Sequence, residues 1–336
     1  TYNPTSNITL YAKWRELPKY TITYNKNTTS AVSNMPGNQT KIHGTSIKLS
    51  STIPSRNGYT FQGWSANSAQ TGTGEYQPGA TYTRDANITL YAVWKEKPIE
   101  IATSYVGYYA DVNGDKKPDG IIYADLGVGG SGTWNNDGWS NYKYSKVTGL
   151  KSYYVSSESY TGFNGKWTQP VITTVQGSTG ANRFYVMALE DINPGSTYYW
   201  YYNSRGKLDN TVSNTTNDFG QGKTYTKTMI SKWNNSAYGS KNNNDMWGVI
   251  QSKVGDINNP TWFIPSKTEW AAFGDMVYSK LKVTASNYTQ YNFKDYYWTS
   301  TQLYEGHTYR ACFKNGGEIG YTYVYRDHAV RLSTMF

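Results

Sequence analysis

The chain contains very little cysteine, histidine and charge. Its single cysteine, Cys312, excludes a disulfide within the chain. The three histidines, His43, His307 and His328, are too few for a zinc or iron site built on imidazole ligands. Charged residues make up 16% of the chain, and lysine and arginine never occur in runs longer than two. Although the net charge is +9, this scattered pattern is typical of a solubilising surface, so we expect no nucleic-acid partner.

Aromatic and neutral polar residues dominate instead. Aromatic side chains reach 16%, and tyrosine alone accounts for 34 residues, which favours a β-rich extracellular protein over a helical cytosolic enzyme. Secreted animal proteins usually stabilise loop-rich folds with disulfides, so the lone cysteine points to a bacterial cell-surface or phage-associated protein. The sequence shows no signal peptide and no membrane-spanning run. Because it begins within a motif, we expect a fragment without membrane insertion that has lost its export and anchoring segments.

One octapeptide occurs twice near the beginning of the chain. NITLYAKW at 7–14 and NITLYAVW at 87–94 are 80 residues apart and agree at seven of eight positions. A repeat at such a long period indicates modules arranged in series. YTITYN, GYTFQGWS and the second octapeptide are each rich in β-branched and aromatic residues, as strands are. We therefore expect residues 1–15 to be the end of a preceding repeat and residues 16–97 to form one β-rich module.

The module resembles the Listeria–Bacteroides surface repeat, a small β-grasp-like unit strung along bacterial surface proteins related to internalins. The resemblance lies in GYTFQGW at 58–64 and TLYAVW at 89–94. It implies a spacer or stalk. We expect Trp64 and Trp94 to pack in the core of the module.

Beyond a charged, proline-containing linker at 95–103, the elements become longer and more varied. Strands are predicted at 104–110, 121–126, 183–190 and 198–203, and helices at about 224–235, 244–254 and 266–281. The last helix has the clearest start, because SKTE at 266–269 is a capping box that follows a proline. Residues 296–336 are expected to form terminal strands. Together these elements predict an α+β domain at 101–336, with helices outside an irregular antiparallel sheet.

The sharpest local motif is the acidic loop DVNGDKKPDG at 111–120. Its oxygen-bearing side chains recur at alternate positions, where they can converge on a hard cation. We expect a structural Ca²⁺ ion whose ligands are the side chains of Asp111, Asn113, Asp115 and Asp119 and the backbone carbonyl of Lys117. Asp125 is a further candidate. Position 12 of the loop is isoleucine rather than glutamate, so this is not an EF-hand, and the alternative is an ordinary hairpin loop.

Motifs for catalysis are weak. The chain has no G-x-S-x-G elbow, and GVGGSG at 127–132 lacks the Lys-Ser/Thr pair of a phosphate-binding loop, which favours a flexible turn. Glu190 and Asp191 are adjacent, so on a strand they would point to opposite faces rather than act as a glycosidase pair. We therefore expect no enzymatic activity.

The second domain resembles the C-type-lectin-fold variable proteins of diversity-generating retroelements, which share a fold branch with formylglycine-generating enzymes. The matching segments include WFIPSKTEWAAFG and the C-terminal succession of YWTS at 297–300, a mixed stretch, and VRL at 330–332. The resemblance implies a C-type-lectin fold with a ligand site whose residues are altered by error-prone reverse transcription. Enzymes of this fold branch use cysteines or a histidine-bound metal, and this chain departs from them in both respects.

The resemblance places the variable positions between 302 and 328. Strand alternation puts Tyr321, Tyr323 and Tyr325 on one face, and Cys312 and Phe313 are expected to point inward. The expected outward-facing ligand-binding residues are Leu303, Tyr304, Glu305, His307, Tyr309, Asn315, Glu318, Tyr321, Tyr323, Tyr325, Asp327 and His328.

These patterns predict a surface-displayed, receptor- or adhesin-like protein whose hypervariable site binds a protein or a glycan on another cell or on a phage host. Tyrosine suits such a site because it offers a large contact area at a low cost in rotamer entropy. The main alternative is a carbohydrate-active or protein-modifying enzyme of the same fold branch, which predicts a deep pocket with convergent carboxylates or metal ligands. A second alternative is a structural adhesin module in which the tyrosines are buried.

Overall fold

A computed structural model describes residues 6–135, 138–202 and 215–336. The predicted positions 1–5 and 203 lie outside the described residues. The chain divides into two compact units, Thr1–Lys97 and Pro98–Phe336. Within the described ranges, no helix combines the length and the apolar character that a membrane crossing requires.

The first unit is built from short strands. They are β1 (Lys19–Asn25), β2 (Gln39–Ile42), β3 (Ile47–Lys48), β4 (Tyr59–Ser65), β5 (Thr81–Tyr82) and β6 (Ile88–Glu96). Four of them form a sheet in the order β2-β1-β6-β4, in which β1 and β6 are parallel and the other pairs are antiparallel. β3 pairs with β5 beside this sheet. The second octapeptide therefore supplies a central strand.

Trp64 occupies the core of this unit, as the sequence predicts. It is fully buried, and its ring lies 4.7 Å from that of Tyr24 and 4.9 Å from that of Phe61. Trp94 is half-buried against the same core, with its ring 5.5 Å from that of Phe61, and its indole Nε1 donates a 2.9 Å hydrogen bond to the carbonyl of Lys26. The prediction that both tryptophans pack in the core of the module is thus confirmed, with Trp64 fully and Trp94 partly buried.

The first octapeptide, at 7–14, forms no strand in the described structure. Leu10, Tyr11 and Trp14 are all strongly exposed, whereas the equivalent Leu90 is fully buried. No described strand lies beside the first copy to accept its hydrogen bonds. Its assignment to a preceding repeat stays a prediction.

A seven-stranded sheet forms the centre of the second unit. In spatial order it contains β11 (Tyr153–Gly162), β12 (Trp167–Thr174), β7 (Tyr109–Asp111), β8 (Gly120–Asp125), β13 (Phe184–Ala188), β20 (Ser333–Met335) and β15 (Trp262–Phe263). All neighbours are antiparallel except β12 and β7. The last strand of the chain is thereby held inside the sheet, between β13 and the edge strand β15.

Smaller sheets and helices complete the second unit. β9 (Gly130–Thr133) pairs with β10 (Asn141–Tyr144), β14 (Tyr198–Tyr199) pairs with β19 (Asp327–His328), and β16 (Tyr296–Tyr304), β17 (His307–Cys312) and β18 (Glu318–Tyr323) form an antiparallel sheet. The described helices are α1 (Gly222–Asn234), α2 (Met246–Gln251) and α3 (Lys267–Ser279), with short 3₁₀ turns at Ser236–Tyr238 and Tyr288–Tyr291. The unit is mostly β with few helices.

Local signals located the helices better than the strands. The capping box at the start of α3 is present, with Ser266 and Glu269 bonded reciprocally. The strand predicted at 104–110 begins only at Tyr109, because Gly107 adopts a positive φ in a turn closed by the Tyr108 amide and the Tyr105 carbonyl. The glycine-rich stretch predicted as a flexible turn contains the start of β9 instead.

Two buried ion pairs hold the second unit together. The guanidinium of Arg183 lies 2.7 Å from the carboxylate of Asp125, and that of Arg331 lies 2.6 Å from Asp191. All four side chains are largely or fully buried, so losing one partner would leave an uncompensated charge in the interior. Asp125 is therefore engaged with Arg183, which corrects its candidacy as a cation ligand.

Candidate functional site

The candidate site lies on the three-stranded sheet near the end of the chain. β16 and β17 are joined by a tight turn, and Gly306 in that turn has a φ of +71°, a backbone conformation that favours glycine. In the register of β17 and β18, His307 lies opposite Tyr323, and Tyr309 lies opposite Tyr321. Residues opposite each other in a sheet project from the same face, so these four side chains are neighbours.

Five aromatic side chains form a contiguous surface there. The ring of His307 lies 4.4 Å from that of Tyr304 and 4.3 Å from that of Tyr323, and Tyr323 stacks on Tyr325 at 5.1 Å. Tyr321 is close as well, with its ring 6.3 Å from His307. The four tyrosines are between 39% and 52% exposed. We call Tyr304, His307, Tyr321, Tyr323 and Tyr325 the aromatic face.

A rigid interior supports the aromatic face. Cys312, the last residue of β17, and Phe313, which follows it, are fully buried, which confirms that they point inward. Phe313 stacks on Phe293 at 4.6 Å with nearly parallel rings. The hydroxyl of Thr308 donates to the carbonyl of Thr301 at 2.7 Å, fixing the irregular stretch of β16 against β17. Side chains on the outer face can therefore change without disturbing these contacts.

Tyr309 and His328 were expected to face outward, and the structure corrects both. Tyr309 is 3% exposed, and the ammonium of Lys267 lies 4.1 Å from the centre of its ring. Burial raises the pKa of Tyr309 to about 12. The His328 ring packs 4.3 Å from that of Trp298 and 5.1 Å from that of Tyr296. Burial is the main cause that lowers the pKa of His328 to about 4, so it is a neutral packing residue.

The remaining predicted positions are spread around the sheet. Glu305 and Asp327 are exposed near the aromatic face, and Leu303 is half-buried against the core. Asn315 and Glu318 lie beside the turn between β17 and β18, at the opposite end of the strands from His307. The structure therefore does not bring these two together with the tyrosines.

Trp139 belongs to the neighbourhood of the site but was not predicted. It is exposed, and its ring lies 5.7 Å from that of the buried Tyr309. Lys267 lies beneath both, with its ammonium 5.2 Å from the Trp139 ring. Trp139 and Lys267 come from segments far from the C-terminal window, so no local pattern in the sequence marks them.

The acidic loop at 111–120 is closed by its own hydrogen bonds. Asp111 accepts bonds from the amides of Gly114 at 2.7 Å and Lys116 at 3.0 Å. Asp119 accepts from the amide of Val112 at 2.7 Å, and Asn113 accepts from that of Asp115 at 2.9 Å. These are the bonds of a tight Asx-rich turn.

The carboxylates of this loop lie close enough to interact. Burial, together with the charges of Asp111 and Asp115, raises the pKa of Asp119 above its usual range, although amide bonds from the loop oppose the shift. Among the described residues, no group of three or more histidine, cysteine, aspartate or glutamate side chains is arranged to hold a metal. Carboxylate and amide oxygens are suitable calcium ligands, but in this structure several of them accept hydrogen bonds from backbone amides of the loop. Calcium binding by Asp111, Asn113, Asp115, Lys117 and Asp119 stays a prediction.

One family of known proteins matches part of the first unit. Residues 20–93 match the Listeria–Bacteroides repeat domain family, which confirms the resemblance drawn from the two tryptophan motifs. No curated protein matches the chain. Among solved structures, the chain is similar to a fimbrial protein from Bacteroides ovatus, at 12% identity and a TM-score of 0.34, over 96% of this chain and 70% of that one. A likeness this low assigns neither fold nor function.

Proposed function

We propose that this chain is part of a bacterial surface-displayed binding protein and that its second unit captures a ligand on the aromatic face. One observation carries the proposal. Four tyrosines are exposed around His307 on one side of the three-stranded sheet, while the remaining contacts of that sheet are with the buried core. Large aromatic side chains concentrated at one spot are the residues that most often dominate binding energy. A protein on another cell or a phage host is the partner we favour, because the face is open rather than a deep pocket.

The first unit fits a spacer role in this proposal. It contains a Listeria–Bacteroides repeat domain, and the octapeptide recurs before it at 7–14. Modules arranged in series extend a chain away from its attachment point. A row of such modules would hold the binding unit away from the cell surface.

The finer proposal is that the second unit has a C-type-lectin fold whose aromatic face is diversified by a retroelement. It is supported by the YWTS and VRL segments, which flank the aromatic face in the sequence. Trp298 in the first segment and Arg331 in the second are buried. Rings that contact mainly one another can be replaced without opening the core. Sequencing the gene in related isolates tests this idea. We expect substitutions to concentrate in adenine-containing codons of 302–328, and an even spread of substitutions along the gene would overturn it.

Binding itself is tested with the full chain labelled by a fluorophore. Flow cytometry would measure its attachment to a panel of bacterial cells and phage hosts. A variant with Tyr304, Tyr321, Tyr323 and Tyr325 changed to serine should bind more than about tenfold more weakly, since each interfacial tyrosine contributes on the order of 1 kcal/mol or more. Tyr11→Ser, an exposed tyrosine of the first unit, is the matched control. Attachment that survives the fourfold substitution would show that the ligand binds elsewhere.

A further inference from the structure

A second concave site lies on the second unit and is lined by the end of β13 and the residues after it, together with Tyr160 of β11 and Trp262 of β15. It is an open groove of about 560 Å³, a volume within the range of small-molecule sites. Its lining includes Tyr160, Glu190, Asn193, Lys253 and Trp262, none of which belongs to the aromatic face.

Two aromatic rings are held in place along the groove. The ring of Tyr160 stands edge-on to that of the buried Tyr109 at 4.9 Å, which fixes its orientation and leaves it partly exposed. Trp262 of β15 is partly buried and packs against the hydrophobic core. A ligand in the groove therefore meets preformed apolar surfaces rather than mobile side chains.

The charges that line the groove are of both signs. Glu190 and Lys253 are exposed, and neither takes part in a described ion pair. Asp191 also lines the groove, but it is buried and neutralised by Arg331 at 2.6 Å. Glu190 offers acceptors only and Lys253 offers donors only, so a ligand that satisfies both must itself donate and accept.

We infer that this groove binds a neutral oligosaccharide. Each sugar hydroxyl both donates and accepts hydrogen bonds, so hydroxyls can bond to the carboxylate of Glu190, the ammonium of Lys253 and the amide of Asn193. The C–H faces of a pyranose ring are apolar and flat enough to lie against Tyr160 and Trp262. A strongly charged ligand would meet one repelling group whichever its sign.

The groove is a binding site rather than a hydrolytic one. Cleavage of a glycosidic bond requires two carboxyl groups on either side of it. Asp191 is committed to Arg331, and Asp119 accepts bonds from the amides of its own loop. Glu190 is the carboxylate left available to a sugar.

The experiment uses the full chain on a printed array of neutral, acidic and basic oligosaccharides, followed by isothermal titration with the neutral oligosaccharide bound best. Glu190→Gln should weaken binding about tenfold, since a hydrogen bond to a charged group contributes on the order of 1.5 kcal/mol. Tyr160→Ala should weaken it by a similar factor through the loss of stacking. Tyr11→Ala, at an exposed tyrosine of the first unit, is the control and should leave the affinity unchanged. Tyr321→Ala is measured beside it to show whether the sugar binds to the aromatic face instead.

Several outcomes would overturn the inference. One is an array on which no neutral oligosaccharide binds, and another is affinity that falls in Tyr321→Ala but not in Glu190→Gln. Preferential binding of an acidic or a basic oligosaccharide would assign the groove to a charged ligand instead. Circular dichroism of each variant separates a lost contact from a lost fold. Because the groove and the aromatic face share no residue, failure here leaves the attachment experiment unaffected.

Discussion

The two copies of the octapeptide carry nearly the same residues in opposite environments. Leu90 in the second copy is 0% exposed, whereas Leu10 in the first is 82% exposed. The second copy lies between β1 and β4 and exchanges backbone hydrogen bonds with both. The first copy has no such neighbours in the described structure. Local sequence therefore determines which residues can form a strand, and the neighbouring strands determine whether the strand exists.

The second unit contains the same contrast between two tyrosines. Tyr309 and Tyr321 lie directly opposite each other on β17 and β18, yet Tyr309 is buried and Tyr321 is 52% exposed. Trp139 and Lys267 lie against the Tyr309 ring and account for its burial. Matched substitutions at buried and exposed positions test whether this difference in environment changes the free energy of unfolding and ligand binding.

The largest effect is expected at the leucine pair. Leu90→Ala should lower the free energy of unfolding of the first unit by about 4 kcal/mol, because it removes a fully buried side chain and leaves a cavity. Leu10→Ala should change it by less than about 0.5 kcal/mol. Hydrogen exchange measured by mass spectrometry in each unit separates local from global effects. Equal losses in the two variants would mean that the first copy is packed in solution.

A somewhat smaller effect is expected at the tyrosine pair. Tyr309→Ala should destabilise the second unit by about 3 kcal/mol, since it removes a buried ring and its contact with the Lys267 ammonium. Tyr321→Ala should leave the urea midpoint nearly unchanged while weakening ligand attachment. The two variants therefore separate packing from recognition. A loss of stability in Tyr321→Ala as large as that in Tyr309→Ala would contradict the assignment of Tyr321 to the aromatic face.

Buried ionisable side chains should also make the stability of the second unit depend on pH. Glu269 is fully buried, and burial raises its pKa from 4.5 to about 7, although its bonds to Ser266 and Gly222 oppose this shift. The folded state thus binds a proton more tightly than the unfolded state. The contribution of Glu269 to stability is therefore complete below pH 4.5 and falls as the pH rises to about 7, by about 3 kcal/mol.

His328 acts in the opposite direction. Its pKa is lowered from 6.5 to about 4, chiefly by burial and secondly by the charge of Arg310, so it stabilises the fold only while neutral. Its contribution is lost as the pH falls from 6.5 towards 4. The two pH windows overlap, and the two residues change stability in opposite directions within them. Urea unfolding between pH 4 and pH 8 should show that Glu269→Gln removes a loss of stability as the pH rises from 4.5 to about 7, and that His328→Gln removes a loss as the pH falls from 6.5 to about 4. Unchanged profiles in both variants would contradict these assignments.

Features set by adjacent residues were predictable, and those set by distant contacts were not. The start of α3 followed from four consecutive residues at 266–269, and the strands of the first unit from short aromatic and β-branched runs. The long hairpin of β11 and β12 was not predicted, because the sequence YYVSSESYTG has no regular alternation of apolar residues. The exposed tyrosines were predicted from their C-terminal window. The burial of Tyr309 and His328 was not, since it depends on Trp139, Lys267 and Trp298.

The smallest expected effect distinguishes the two units by their response to calcium. We propose that the acidic loop binds Ca²⁺, because the ionised carboxylates of Asp111, Asp115 and Asp119 repel one another there and a divalent cation would offset the cost. EDTA should lower the melting temperature of the second unit by about 2–4 °C for each kcal/mol of binding energy lost, and calcium should restore it.

The first unit should not respond. Asp115→Ala should abolish the shift, while Asp256→Ala, outside the loop, should preserve it. A melting temperature that is the same with EDTA and with calcium would leave the loop as a hairpin held by its own amides.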